Sequence, residues 1–133
     1  MHAALYSILS GAAGVTELVS TRIYLARAPQ GAALPYVWFE DRSTTYIRAL
    51  SGDQAYRRSL VDVNCIAASA TEAIAVADAV TSAINDARGT YASTPIVNVA
   101  VLGDDTNTLP PTSGEEFGAF ERSLDVEITW RSA

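Results

Sequence analysis

Residues 120–131 read FERSLDVEITWR. Phe120, Leu124, Val126, Ile128 and Trp130 fall on one face of an extended chain, and Glu121, Ser123, Asp125, Glu127, Thr129 and Arg131 on the other. A period of two predicts a half-buried β-strand, apolar toward a core and polar toward something wet. Arg122 is the one break, sitting among the inward residues. Twelve residues at about 3.3 Å each span roughly 40 Å, well beyond a usual strand.

Working outward, residues 104–118 (DDTNTLPPTSGEEFG) read as a long polar loop with a double proline. Loops beyond about a dozen residues are uncommon in compact domains and are often functional or disordered, so this one reads as a docking arm or as a disordered segment. Before it, Val97, Val99 and Val101 alternate with Asn98 and Ala100, a strand over residues 96–102. Residues 69–88 predict the main helix. Ser69 with Glu72 forms a capping box, Ile74, Ala77, Val80 or Thr81, Ile84 and Ala87 form its buried stripe, and Gly89 is the expected stop after Arg88. Its many alanines permit close approach to a sheet.

Residues 36–46 and 56–67 read as two strands joined by a polar turn at Ser51-Gly52-Asp53, an antiparallel hairpin. Val37 and Phe39 point inward on the first; Val61, Val63, Cys65 and Ala67 share a face on the second. Leu5, Ile8 and Leu9 mark a short amphipathic N-terminal helix, and Val15, Leu18 and Val19 another helical turn. Residues 21–30 look extended and irregular, and residues 24–36 carry apolar side chains without periodicity. That is how an arm laid on a neighbouring subunit reads, or a segment packed on its own domain. The order predicts one α+β domain over residues 1–133: an N-terminal helix, then β-β-α-β-β, with a mostly antiparallel sheet and one long helix on its apolar face.

The bulk numbers exclude several functions. The chain has 133 residues, 49% hydrophobic and 18% charged, as in an ordinary globular protein. A net charge of −6 and nine cations, all arginine, argue against electrostatic capture of nucleic acid or an anionic membrane. The single cysteine, Cys65, leaves no disulfide framework, which fits a reducing cytosol. No signal peptide or membrane-spanning run is visible.

Catalysis finds little support. His2 has no acid or nucleophile beside it in sequence and reads as a solvated terminal residue. Cys65 reads as a small buried hydrophobe. Asp104-Asp105 and Glu115-Glu116 match no calcium loop and read as solvated turn residues. Gly11 and Gly14 follow a helix and form no phosphate cradle, and Arg57-Arg58 reads as an isolated basic pair. No catalytic, cofactor or metal site is expected.

The run RIYLARAPQGAALPYVWFE from Arg22 to Glu40 resembles a signature of the tail-completion, or tail-terminator, family of long-tailed phages and gene transfer agents. The match is carried by Arg22, Ile23, Tyr24, Ala28, Pro29, Gly31, Leu34, Pro35 and Tyr36. Residues 61–84 and 120–130 also resemble the family's strand-then-helix and its closing strand. The resemblance implies a non-enzymatic virion protein, made in the bacterial cytoplasm. It implies a ring, typically hexameric, on the head-proximal end of the tail tube, which stops tube polymerisation and docks the head connector.

Its partners would be further copies of itself, the tube protein and a head-side connector or stopper, with DNA only passing through. Under that reading Asp62, Asn64, Glu121, Asp125 and Glu127 are candidates for an acidic channel wall that DNA slides past. The alternative is a face that is solvated or covered by a neighbour. Candidate subunit, tube or connector contacts are Arg22, Tyr24, Pro29, Leu34, Pro35, Asp104, Asp105, Pro110, Pro111, Glu115 and Glu116. The alternative functions are another head–tail joining component, a stopper or capsid-side connector, and a small enzyme or ligand-binding domain.

Overall fold

The alternating apolar segments assemble into one curled sheet with helices against its apolar side. The computed structural model describes residues 1–29, 31–48, 55–109 and 119–132, with residue 109 described in its backbone only. In chain order the elements are α1 (His2–Ser10), α2 (Ala13–Val19), β1 (Ile23–Leu25), β2 (Tyr36–Ile47) and β3 (Tyr56–Ala67). They continue with α3 (Ala70–Ile84), β4 (Gly89–Tyr91), β5 (Thr94–Leu109) and β6 (Ala119–Arg131). The six strands lie in the order β1-β2-β3-β6-β5-β4. All neighbours are antiparallel except β1, which runs parallel to β2. Helix α1 touches both edge strands, β1 and β4, so the sheet curls around its helical layer.

The core is the face that alternation marked out. Val37 and Phe39 of β2, Val61, Val63 and Cys65 of β3, and Leu124, Val126 and Ile128 of β6 are buried together. Opposite them lie Leu5 and Leu9 of α1, Val15 and Val19 of α2, and Val76, Val80 and Ile84 of α3. Ala73 and Ala77 are also buried on α3, where their small side chains let the helix sit close to its neighbours. Each buried Val, Leu or Ile contributes about 1.5–3 kcal/mol, which is why period-two and period-3.6 patterning dominates the fold. Ser69 Oγ accepts from the Glu72 amide at 3.2 Å, the expected N-terminal cap of α3.

Several expectations need correction. Residues 104–109 are not loop: β5 runs on to Leu109 and pairs with β6 as far as Leu109–Ala119. Two register shifts, between Ile96 and Asn98 and between Val101 and Gly103, let the strand keep pairing although its alternation is interrupted. The rest of the expected arm, including Pro110, Pro111, Glu115 and Glu116, lies outside the described residues.

Helix α3 ends at Ile84, not Arg88. Asp86 takes a left-handed φ of 62° and its amide donates to Val99 O at 2.8 Å, while Asn85 Oδ1 accepts from the Val101 amide at 3.2 Å. Those bonds hand the chain to β5 before Gly89 is reached, and Arg88 lies beyond the helix. The α3 stripe runs through Ala73, Val76, Ala77, Val80 and Ile84, leaving Ile74 exposed; Leu18 of α2 is exposed as well.

Residues 23–25 are extended, as expected, but they are regular. They form β1, paired Ile23–Val37, Tyr24–Trp38 and Leu25–Phe39. A further short strand, β4, pairs with the start of β5 through a tight turn at Ala92 and Ser93, both with positive φ.

Candidate functional site

The polar face of the sheet is where the sequence placed its candidate acids, and the structure brings three of them together. Asp62 of β3 stands directly opposite Asp125 of β6, and Leu60 opposite Glu127. Two like charges at a direct cross-strand position repel. Arg42 relieves this. It is the extra residue of a bulge in β2 between Asp41 and Ser43, and its guanidinium reaches Asp62 Oδ1 at 3.0 Å and Asp125 Oδ1 at 3.5 Å. Arg58 reaches Glu127 Oε1 at 3.5 Å. Burial pushes the Asp62 carboxyl above its ordinary range; Arg42 pulls it down and the Asp125 charge pushes it further up.

Glu121, the fourth candidate, shares the face but stands apart, accepting from the Asn107 amide at 3.4 Å. Asn64 is buried on the same strand face and accepts from the Ser123 hydroxyl at 2.6 Å. This face is therefore acidic in composition but cross-braced by two arginines. Alternation puts Arg42 on the polar face with Glu40; which acids Arg42 and Arg58 reach depends on the bulge and on cross-strand register.

The candidate contact residues divide between two regions. Arg22 is folded onto its own domain: its Nε donates to Pro35 O at 2.8 Å and its carbonyl accepts from the Val37 amide at 3.0 Å. Tyr24 and Tyr36 meet edge to face at 6.0 Å between ring centroids. The peptide between Leu34 and Pro35 is cis, and Leu34 and Leu25 remain exposed. At the other region Asp104 pairs with Arg122 at 2.9 Å, which explains why an arginine interrupts the inward row of β6. Asp105 is exposed on β5 opposite Ser123.

Two residues set aside in the sequence have partners. His2 is not a free terminal residue: its Nε2 lies 2.6 Å from Asp41 Oδ1, and that hydrogen bond holds the Asp41 carboxyl below its usual range. Arg57 is not part of an isolated pair. Its guanidinium lies over the Tyr46 ring at 3.9 Å, and Arg131 lies over Tyr56 at 5.9 Å. Register alone brings these together: Tyr46 is opposite Arg57 and Tyr56 opposite Arg131. Strand pairing read to the hairpin tip could have found them.

An open groove of about 770 Å³ runs between α1 and β1, lined by His2, Tyr6, Ile23, Leu25, Phe39 and Ala92 among others. Its lining is largely apolar and gathers no titratable groups beyond His2 and Tyr6. Burial raises the Cys65 thiol to about 12, so it is no nucleophile at neutral pH. Among the described residues no three His, Cys, Asp or Glu side chains gather as metal ligands, and no helix is long and apolar enough to cross a membrane.

Comparison with known proteins agrees with this frame. The chain is similar to a protein in the structure of the virion of a native gene transfer agent (GTA) particle, with a TM-score of 0.80 at 21% identity, over 99% of this chain and 95% of that one. At that identity the likeness establishes the fold. Curated protein sequences yield no match. The family model for tail completion protein gp17 matches residues 3–116. With most of its length matched, the chain belongs to the tail completion protein gp17 family, a family of structural proteins of the virion tail.

Proposed function

We propose that the protein forms a ring, hexameric in the form the family resemblance implies, that caps the head-proximal end of a phage or gene-transfer-agent tail tube. There it ends tube polymerisation and presents a docking face to the head-side connector. The observation that carries this reading is the family match over residues 3–116. Within the ring, the polar sheet face carrying Asp62, Asp125 and Glu127 borders the channel. Carboxylates there repel DNA phosphates and let the genome pass without adhering. The Arg42 and Arg58 bridges keep that wall from being uniformly negative, and they fix the acids in place.

The exposed Leu25 and Leu34 near the β1 edge, and Asp104 and Asp105 near the far end of β5, are the proposed contacts to neighbouring subunits, tube or connector. Loss of the protein from producing cells tests the reading. A cap predicts tails of uncontrolled length. Tails of normal length without heads would instead assign the protein to a stopper or connector.

A further inference from the structure

The two ends of the long strands carry opposite charge. At the end where β2 leads to β3 and β6 finishes, Arg57 and Arg131 stack on Tyr46 and Tyr56. These rings are 58% and 43% exposed. The described residues 43–48, 55–59 and 128–132 together hold four arginines and no acid. Arg58 is paired with Glu127, whereas Arg48, Arg57 and Arg131 make no ion pair among the described residues.

At the other end, the described residues 103–109 and 119–122 hold three acids against one arginine. Arg122 is already engaged by Asp104, and Asp105 and Glu121 have no cationic partner among the described residues. Nine residues of β3 separate Arg57 from Ile66, which stands opposite Glu121, roughly 30 Å at 3.3 Å per residue.

An arginine stacked on an aromatic ring keeps N–H groups for a carboxylate in bidentate geometry, although Arg57 also makes one long bond of its own, from Nη1 to Tyr56 O at 3.4 Å. Stacking also holds the side chain in place beforehand, so less freedom is lost on docking. A net charge of −6 sets the rest of the surface against a polyphosphate partner. The carboxylates that fit are on the molecule itself, at the opposite end.

We infer that the Tyr46–Arg57 and Tyr56–Arg131 end of one copy docks on the Asp105 and Glu121 end of the next, head to tail. A contact between two different surfaces of the same chain is heterologous, and heterologous contacts close into rings when the rotation permits. The inference rests on the ring reading and names the surfaces that would build it.

Charge exchange tests it. Arg57→Glu with Arg131→Glu puts carboxylates on both contact surfaces; Asp105→Arg with Glu121→Arg puts guanidinium groups on both. Each double variant, and the two together, is expressed in producing cells lacking their own copy, and its amount in purified tails is compared with wild type. Thermal melts of the purified variants confirm folding, and Arg57→Gln with Arg131→Gln serves as a milder substitute where the reversal does not fold.

Each reversal alone is expected to reduce incorporation at least tenfold. Co-expression is expected to restore it with equal amounts of the two, because acidic and basic copies alternate around an even-numbered ring. The milder variant is expected to reduce incorporation several-fold. Incorporation of either single reversal, or of the milder variant, at the wild-type level overturns the inference, as does failure of folded, co-expressed variants to restore it. Binding of duplex DNA by the wild-type protein, lost in Arg57→Glu with Arg131→Glu, would reassign the patch to nucleic acid. Absence of the wild-type protein from tails would refute the cap itself and not the interface alone.

Discussion

Asp62 and Asp125 face each other across β3 and β6, and Arg42 reaches both, at 3.0 Å and 3.5 Å. Burial already raises the Asp62 carboxyl above 3.8. A carboxyl raised on folding holds its proton more tightly in the folded chain. Its contribution to stability is complete below 3.8 and is lost as pH rises through the folded midpoint. Arg42→Ala should lift that midpoint further and cost about 0.5–1 kcal/mol at pH 7, a small effect because Arg42 and Asp125 are about half exposed. The deficit should fade on acidification through the Asp62 midpoint. NMR titration of the Asp62 carboxyl, with urea unfolding at several pH values, checks it; an unmoved midpoint would show that Arg42 does not set the balance.

His2 and Asp41 make the opposite case. The His2 hydrogen bond lowers the Asp41 carboxyl below 3.8, so its contribution is present above 3.8 and lost as pH falls through the folded midpoint. His2→Ala should return the Asp41 midpoint toward the ordinary value. Because both side chains are well exposed, the change in unfolding free energy should be below about 1 kcal/mol. Carboxyl-carbon shifts followed against pH in both proteins measure it.

Ser59 is buried at the centre of a three-residue network. Trp130 Nε1 donates to Ser59 Oγ at 2.9 Å, and Thr44 Oγ1 lies 2.9 Å from the same atom. Ser59→Ala removes the shared partner of both and should cost about 1–3 kcal/mol in denaturant unfolding. In a cycle with Trp130→Phe the two costs should not add, because both act on the same bond. Additive losses would mean that the network is not coupled.

Much of the fold was legible because β2, β3 and β6 bury one face under helices, which writes a period of two into Val37 and Phe39, Val61 and Val63, Leu124 and Val126. The second half of β5 was not, for a physical reason. Gly103, Asp104, Asp105, Thr106 and Asn107 are polar or lack a side chain on both faces, and they are held by pairing to β6 rather than by burial. β1 and β4 are three residues each, too short to show a period. The end of α3 turned on backbone bonds from Asp86 and Asn85, which residue type hardly signals.

The candidate site followed the same division. Alternation put Asp62, Asp125 and Glu127 on one face. Their ties to Arg42 and Arg58, and the stacking of Arg57 on Tyr46, depend on a bulge and on cross-strand register.

Cys65 offers a check on the core. With its thiol at about 12 and fully buried, it should resist thiol reagents at pH 8 in the folded protein and react at the rate of a free thiol once unfolded in guanidinium. Rapid native-state labelling would place it elsewhere than between the sheet and its helices.

The length distribution of tails made without this protein, measured by electron microscopy, tests the central claim most directly. Capping of the tube predicts a broad distribution extending well past the wild-type length, narrowed again when the protein is restored. Tails of uniform, wild-type length in its absence would contradict it.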